Sequence, residues 1–350
     1  MLKSEIDTPA LVVDLTAMES NLRRMAAFFA DGPTRLRPHY KNHKSPALAR
    51  RQMALGAIGM TCATVGEAEA LGRAGIASIL LANEVADSGK IARCLRLSEQ
   101  TDLIVAVDSE RIVAALAAAA SRQNRPSVVV DVDTGMGRCG VPQGEPAAAL
   151  AQFAVEKGLH FRGLTGYEGH CVRLAPGPEK ERAIRESMRK LADTAELIRS
   201  RGIPVEIVSA GGTGTYSISG RLPGITEIQA GSYPFMDTDY ATVCRDFEMS
   251  LSVLTTVISR TGNQRIVLDC GLKSLSGERG LPTLKNVDGA RLRRLNAEHA
   301  IVDILDPALP VQVGDRLEIW AHYSDATVNL HRRIYGLRGD QVEETFILES

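Results

Sequence analysis

Arg37-Pro38-His39-Tyr40-Lys41-Asn42-His43-Lys44 packs two lysines, two histidines and an arginine into eight residues, overlapping the end of an apparent strand at Arg35–His39. A basic surface loop is the ordinary reading of such a run. A lysine at the C-terminal end of a barrel strand differs, because it points into the barrel mouth. There Lys41, with His39, His43, Lys44 and Arg37 as cationic neighbours, is placed to form a Schiff base with an aldehyde. Asp131-Val132-Asp133-Thr134-Gly135-Met136-Gly137-Arg138-Cys139-Gly140 runs from a strand into a glycine-rich loop. It reads either as a solvated turn or as backbone approaching a ligand, with Arg138 a fixed donor to an oxyanion. In Gly166-Tyr167-Glu168-Gly169-His170, His170 is a surface imidazole or a general acid/base, and Tyr167 can pack on a planar ring.

Two further runs concern anions and cations. Ser209-Ala210-Gly211-Gly212-Thr213-Gly214-Thr215 follows a strand and places glycines and hydroxyls where a helix would begin, an arrangement that cradles phosphate. It is neither a Walker motif, since no Gly-Lys-Ser/Thr ends it, nor a GxGxxG turn. Gly231-Ser232 offers a second anion nest at the next strand end, where barrels often bind phosphate. In Ala321-His322-Tyr323-Ser324-Asp325, the His322 nitrogen and an Asp325 oxygen can hold a divalent cation; by themselves they equally suit a polar loop.

These runs need elements to carry them. Up to about residue 235, β-branched runs alternate with Ala-rich segments of helical period. The expected strands are 35–39, 59–63, 78–82, 103–107, 127–131, 161–167, 205–208 and 227–230. Between them, helices are expected over 65–73, 88–97, 109–120, 145–156 and 180–201, with Gly56, Gly75, Gly158 and Gly202 punctuating the ends. Eight strands with intervening helices predict an α/β fold, a (β/α)8 TIM-type barrel, over residues 15–240. A doubly wound open sheet is the alternative. It fits less well because the polar runs fall at many strand ends, which a barrel collects on one face. Residues 241–350, joined by 1–14, read as a second, β-rich domain with strands near 249–259, 265–269, 299–305, 316–321, 332–337 and 342–348, together with 10–13.

Composition narrows the function. The chain has 350 residues, 44% hydrophobic and 24% charged, with a net charge of −1. It is globular and carries no basic field to invite nucleic acid or anionic lipid. No apolar run approaches a membrane span, and the N-terminus lacks an apolar signal core. Six scattered cysteines without a CxxC pair argue against a disulfide scaffold or a Cys-rich zinc site, so a cytoplasmic setting is expected.

The ordered series resembles the D-threonine aldolase and D-serine dehydratase family of pyridoxal-phosphate enzymes, relatives of alanine racemase. In sequence order it runs Thr8-Pro9, Arg37–Lys44, Thr64–Leu71 (TVGEAEAL), Asp133–Gly140, Gly166–His170, Gly211–Thr215, Gly231–Asp237 and the His322 loop. The resemblance spans nearly the whole chain. It implies that Lys41, rather than Lys44, holds the cofactor as an imine, and that Arg138 donates to the pyridine 3′ oxygen. It further implies that Tyr167 lies beside the ring, with Tyr233 a possible neighbour. Gly212, Thr213 and Gly214, with Gly231 and Ser232, would bind the phosphate. His322 and Asp325 would bind a divalent metal near the substrate β-hydroxyl, with Mn2+ favoured and Zn2+ or Mg2+ as alternatives. Asn42 stands where the family commonly has Thr, and Gly214 where it often has Pro. The metal pair reads His-x-x-Asp rather than His-x-Cys or His-x-Asp.

The implied activity is metal-dependent cleavage of D-β-hydroxy-α-amino acids to glycine and an aldehyde, with His170 as the base. A D-serine or D-3-hydroxyaspartate dehydratase giving ammonia and a 2-oxo acid is the first alternative. An amino-acid racemase, for which no second base stands out, and a non-catalytic cofactor-binding protein are the others. The family also implies a homodimer.

Overall fold

Val128, Val129 and Val130 are all fully buried, as a parallel strand covered on both faces requires. The structure, a computed structural model, describes residues 1–121 and 123–350. It divides into two units, Met25–Gly231 with Glu349–Ser350, and Met1–Arg24 with Ser232–Leu348.

The first unit is the barrel. Its strands in chain order are Arg35–Leu36, Met60–Cys62, Ser78–Leu81, Asp102–Val107, Ser127–Asp133, His160–Thr165, Ile207–Ala210 and Glu227–Ile228, each parallel to its neighbours. The last strand pairs with the first. Between the first two, the Ile58 amide donates to Leu36 O at 3.0 Å and the Thr61 amide to Pro38 O at 2.8 Å. All eight expected strands are present. The assigned strand stops at Leu36 rather than His39, although the Arg37 and His39 amides still donate to Ile228 O and Ala230 O at 2.9 and 3.0 Å. Strand side chains Leu80, Ile104, Ala106, Val129 and Ile207 pack on one another as an apolar cluster.

The helices follow local signals. Thr64 caps Val65–Arg73 by accepting from the Glu67 amide at 3.1 Å, and the Glu67 carboxylate reaches back to the Ala63 amide at 2.8 Å. That helix and Glu145–Glu156 have the expected bounds; Pro178–Ser200 starts two residues early, at a proline suited to a first helical turn. Two of the helices that were not expected are Leu15–Ala30 and Pro46–Ala54. The first begins directly where a strand stops, with Asp14 accepting from the Thr16 and Ala17 amides, so no loop composition announces it.

In the second unit the strand Leu251–Thr261 is the spine. It pairs antiparallel with Ala10–Asp14, Arg316–Trp320 and Arg265–Leu268. Ala10–Asp14 also lies parallel to Arg333–Arg338, so the N-terminal strand joins this sheet as expected. Ala290–Leu295 is an additional strand; its sequence, ARLRRL, is too charged to read as one. Ile6, Ala10, Val12, Leu254 and Leu337 form a core of this unit. No helix among the described residues is long and apolar enough to cross a membrane.

Candidate active site

Lys41 sits in a single 3-10 turn, Tyr40–Asn42, between fully buried Tyr40 and Asn42, and is itself half-buried. Its backbone amide donates to His39 Nδ1 at 3.3 Å, which leaves the His39 proton on Nε2. Burial first, then the charges of Lys41, His43 and Arg138, hold His39 well below its ordinary pKa, so the ring is neutral. His43 is also neutral, pushed down to about 4 by burial. Its Nδ1 accepts from the Ser45 amide and its Nε2 meets Gln52 Oε1, each at 3.1 Å.

The cations expected around Lys41 are thus neutral or paired. Arg37 gives its Nε to Glu227 Oε1 at 2.9 Å, and Lys44 Nζ faces Glu67 Oε1 at 4.0 Å. Burial is the reason: charged groups taken out of water either neutralise or find counter-charges.

Arg138, Tyr167, Gly212 and Gly231 follow the C-terminal ends of four other barrel strands, the same end as Lys41. The Arg138 loop is shaped by Asp133 Oδ1, which accepts from the Gly135 and Gly137 amides at 2.9 and 3.0 Å. These bonds hold the Asp133 carboxyl below its usual range. The exposed Arg138 guanidinium lies 5.8 Å from the centroid of the Tyr167 ring. A Cβ on Gly212 would stand 3.2 Å from that ring, a tight contact that glycine relieves. Gly231 makes a similar approach to His39, where a Cβ would lie 3.0 Å from the His39 Cβ. Thr213 is buried, and Gly214 is half-buried beside it. The helix that begins after this turn is Tyr216–Ser219, a single turn of backbone.

The residue missed by sequence reasoning is Glu168. It is fully buried, with Oε2 accepting from the Gly211 amide at 3.1 Å and Oε1 from Ser219 Oγ at 2.6 Å. It therefore ties the start of the glycine turn to the helix that follows it. An acid immediately after an apolar strand was the available signal. Glu168→Gln replaces one acceptor with a donor facing a donor. The expected cost is about 1.5–3 kcal/mol, read as a lower melting temperature and about tenfold weaker retention of pyridoxal phosphate. Unchanged retention would remove Glu168 from the support of that turn.

His170 is exposed on the short helix Gly169–Val172. Its Nε2 lies 3.4 Å from Ser187 Oγ, whose own proton goes to Ala183 O at 3.0 Å. Nε2 therefore donates, and Nδ1 carries the lone pair. The ring lies against Gly135, beside the Arg138 loop.

The remaining residues belong to the second unit. Ser232 opens a turn in which its carbonyl accepts from the Phe235 and Met236 amides, and Tyr233 is buried behind it. His322 Nδ1 lies 2.6 Å from Thr238 Oγ1, which fixes the imidazole. A Cβ on Gly280 would stand 2.9 Å from His322 Nε2, so the glycine leaves space beside that nitrogen. Asp325 is the second residue of the helix Ser324–Val328. The Ser324 hydroxyl is given to Asp237 Oδ2 at 2.8 Å. Burial, with the Asp325 charge adding to it, raises the Asp237 carboxyl. Arg279 stacks 3.7 Å over the Tyr323 ring and pairs with Asp239 at 3.2 Å. Among the described residues no three His, Cys, Asp or Glu side chains form a complete cation cage.

Comparisons with known proteins identify the family and the fold. Residues 13–239 match the family described as alanine racemase, N-terminal domain, and residues 250–337 match the "Putative serine dehydratase domain". The chain is 37% identical to a D-threonine aldolase of Arthrobacter sp., over 99% of this chain and 93% of that one. It is 33% identical to a 3-hydroxy-D-aspartate aldolase of Paracoccus denitrificans, over 98% and 92%. The crystal structure of D-threonine aldolase from Filomicrobium marinum superposes with a TM-score of 0.95 at 35% identity, covering 99% of this chain and 95% of that one.

Proposed function

We propose that this chain, which belongs to the D-threonine aldolase family of alanine-racemase-like lyases, cleaves D-β-hydroxy-α-amino acids to glycine and an aldehyde with pyridoxal phosphate and a divalent metal. The observation that carries the reading is the convergence of Lys41, Arg138, Tyr167 and the Gly211–Gly214 turn at one end of the barrel. That set suits pyridoxal phosphate chemically. An amine takes the aldehyde, a guanidinium takes the ring oxygen, an aromatic face borders the ring, and a glycine turn held by Glu168 takes the phosphate. When bound, the cofactor supplies an electron sink for the broken Cα–Cβ bond.

The chain's own residues do the rest. Lys41 would hold the cofactor through its side-chain amine. Neutral His39, with Nδ1 occupied by the Lys41 amide, presents Nε2–H as a donor rather than a base. His170 Nδ1 is the lone pair assigned to the β-hydroxyl proton. For the metal, an imidazole nitrogen fixed from behind by Thr238 and a carboxylate make a chemically suitable donor pair. His322 and Asp325 would hold it, with solvent or substrate completing its coordination, and Mn2+ is the preferred ion. When bound, the metal supplies a Lewis acid that lowers the pKa of a hydroxyl.

The test is product analysis of the cofactor- and metal-loaded protein with D- and L-threonine, D-serine, D-3-hydroxyaspartate and phenylserine. Glycine plus acetaldehyde from D-threonine is expected, with turnover lost in chelator while the bound cofactor keeps its colour. Ammonia and 2-oxobutyrate without glycine would replace the aldolase with a dehydratase. Full activity in chelator would take His322 and Asp325 out of the reaction.

A further inference from the structure

Glu349 and Ser350 belong to the barrel unit, while the strand Gln341–Ile347 before them belongs to the second. The Glu349 amide donates to Lys44 O at 2.8 Å. Tyr40 is fully buried, and its Oη lies 2.8 Å from Lys44 O and 2.9 Å from Glu349 O, so one phenol proton is shared between two carbonyls. Burial first, and then the Glu349 charge, raise the phenol, so it remains the donor. Glu349 Oε2 also pairs with Arg73 at 3.0 Å. The Ser350 backbone lies on the first turn of the helix Val65–Arg73, where a Cβ on Gly66 would stand 2.8 Å from the Ser350 carbonyl carbon.

These contacts fall on the turn that carries Lys41. The His43 and Lys44 amides both close on Tyr40 O, at 3.1 and 2.9 Å, so Lys41 lies inside the loop they form. Lys44 is held at φ 48°, a left-handed conformation that persists at a lysine where the surroundings fix it. The Lys44 carbonyl is the atom that Glu349 and Tyr40 grip. We infer that Glu349–Ser350 is a clasp that positions the Lys41 turn, holding Tyr40 and Lys44 on either side of Lys41 and keeping its amine poised for the cofactor aldehyde. This rests on the cofactor reading given above.

The ion pair with Arg73 is exposed and screened, so the backbone bonds carry the clasp. That makes Gly66 the position at which the clasp can be released without touching it. Alanine suits a helix better than glycine, and the next residue near the new Cβ, Thr64, lies at an ordinary 3.9 Å. Gly66→Ala should therefore leave the helix sound and push the Ser350 backbone away.

Hydrogen exchange without cofactor, read by mass spectrometry on peptides covering residues 40–48, tests the clasp. Gly66→Ala, Tyr40→Phe and a chain cut back to Leu348 should each exchange at least about tenfold faster there than the unaltered chain. The Leu348 amide keeps its own bond to Arg332 O at 3.0 Å, so the cut leaves that pairing intact. Glu349→Ala combined with Ser350→Ala retains the backbone bonds and should exchange like the unaltered chain. In the cut chain Gly66→Ala should add nothing, because the backbone it displaces is gone; an effect through the helix alone would be equal in both backgrounds. With pyridoxal phosphate added, the visible band of the fast-exchanging variants should form about fivefold or more slowly, with borohydride still fixing the label on Lys41. Unchanged exchange over 40–48 in Gly66→Ala and the cut chain overturns the inference, as does band formation at the unaltered rate in variants that exchange faster. If Tyr40→Phe fails to fold, those two variants decide the matter. If the unaltered chain gains no visible band, the cofactor reading fails, while the exchange arm still decides whether the clasp holds the turn.

Discussion

Lys41→Ala protein is expected to lose the visible absorbance of its bound cofactor and to turn over at least about a thousand-fold more slowly. The turn Tyr40–Asn42 fixes the Lys41 backbone, with one hydrogen bond to His39 and flanking residues that are fully buried. The nearest amine in the chain, Lys44, is a poor substitute. It faces Glu67 at 4.0 Å, and its backbone is held in the left-handed region at φ 48°. Lys44→Ala should therefore keep the colour. Lys41→Arg keeps the positive charge and cannot form an imine, so it should be as colourless as the alanine variant. Absorbance spectra after gel filtration, with mass spectra of the borohydride-reduced protein, separate these outcomes. An unchanged spectrum in Lys41→Ala would move the covalent linkage to another amine.

The barrel was legible because its strands are short apolar runs between amphipathic helices, and that pattern survives without any knowledge of contacts. Which end of each strand a side chain serves was not legible. Arg37 is the clearest case. It stands four residues before Lys41 and reads as part of the same basic run. Its guanidinium instead reaches Glu227 and Ser78, the first residues of their strands. Spacing along a strand does not reveal the direction of a long flexible side chain. Charge state was hidden for a related reason. His39 and His43 look like cations in sequence, but burial keeps both neutral. Glu168 escaped notice because a single acid at a strand end reads as a solvated residue until its burial is known. The glycine runs were the reliable signals. At Gly212 and Gly231 a side chain would press on Tyr167 and His39, at 3.2 and 3.0 Å, so those neighbours would have to shift by a few tenths of an ångström.

That same Arg37 supports the largest stability effect expected outside the site. Arg37 and Glu227 are 3% and 2% exposed, and their 2.9 Å contact is surrounded by strand starts at the end of the barrel opposite Lys41. Arg37 Nη1 also donates to Ser78 Oγ at 3.0 Å, and Ser78 donates on to Asp102 at 3.1 Å. Gly59 leaves room for the guanidinium, since a Cβ there would run into Nη1. Glu227→Ala strips the counter-charge from a cation that water cannot reach. The expected loss is about 3–5 kcal/mol. For a barrel of this size that corresponds to roughly 6–20 °C in melting temperature. Arg37→Met combined with Glu227→Met removes both charges and fills the volume with apolar atoms, so the double variant should recover most of the loss. Because the pair lies away from the mouth, KM of the folded Glu227→Ala protein should remain within about twofold of the unaltered chain. Unfolding curves for Arg37→Met, Glu227→Met and the double variant give the coupling between the charges. A coupling near zero would mean that Ser78 and its neighbours hold Arg37 without Glu227.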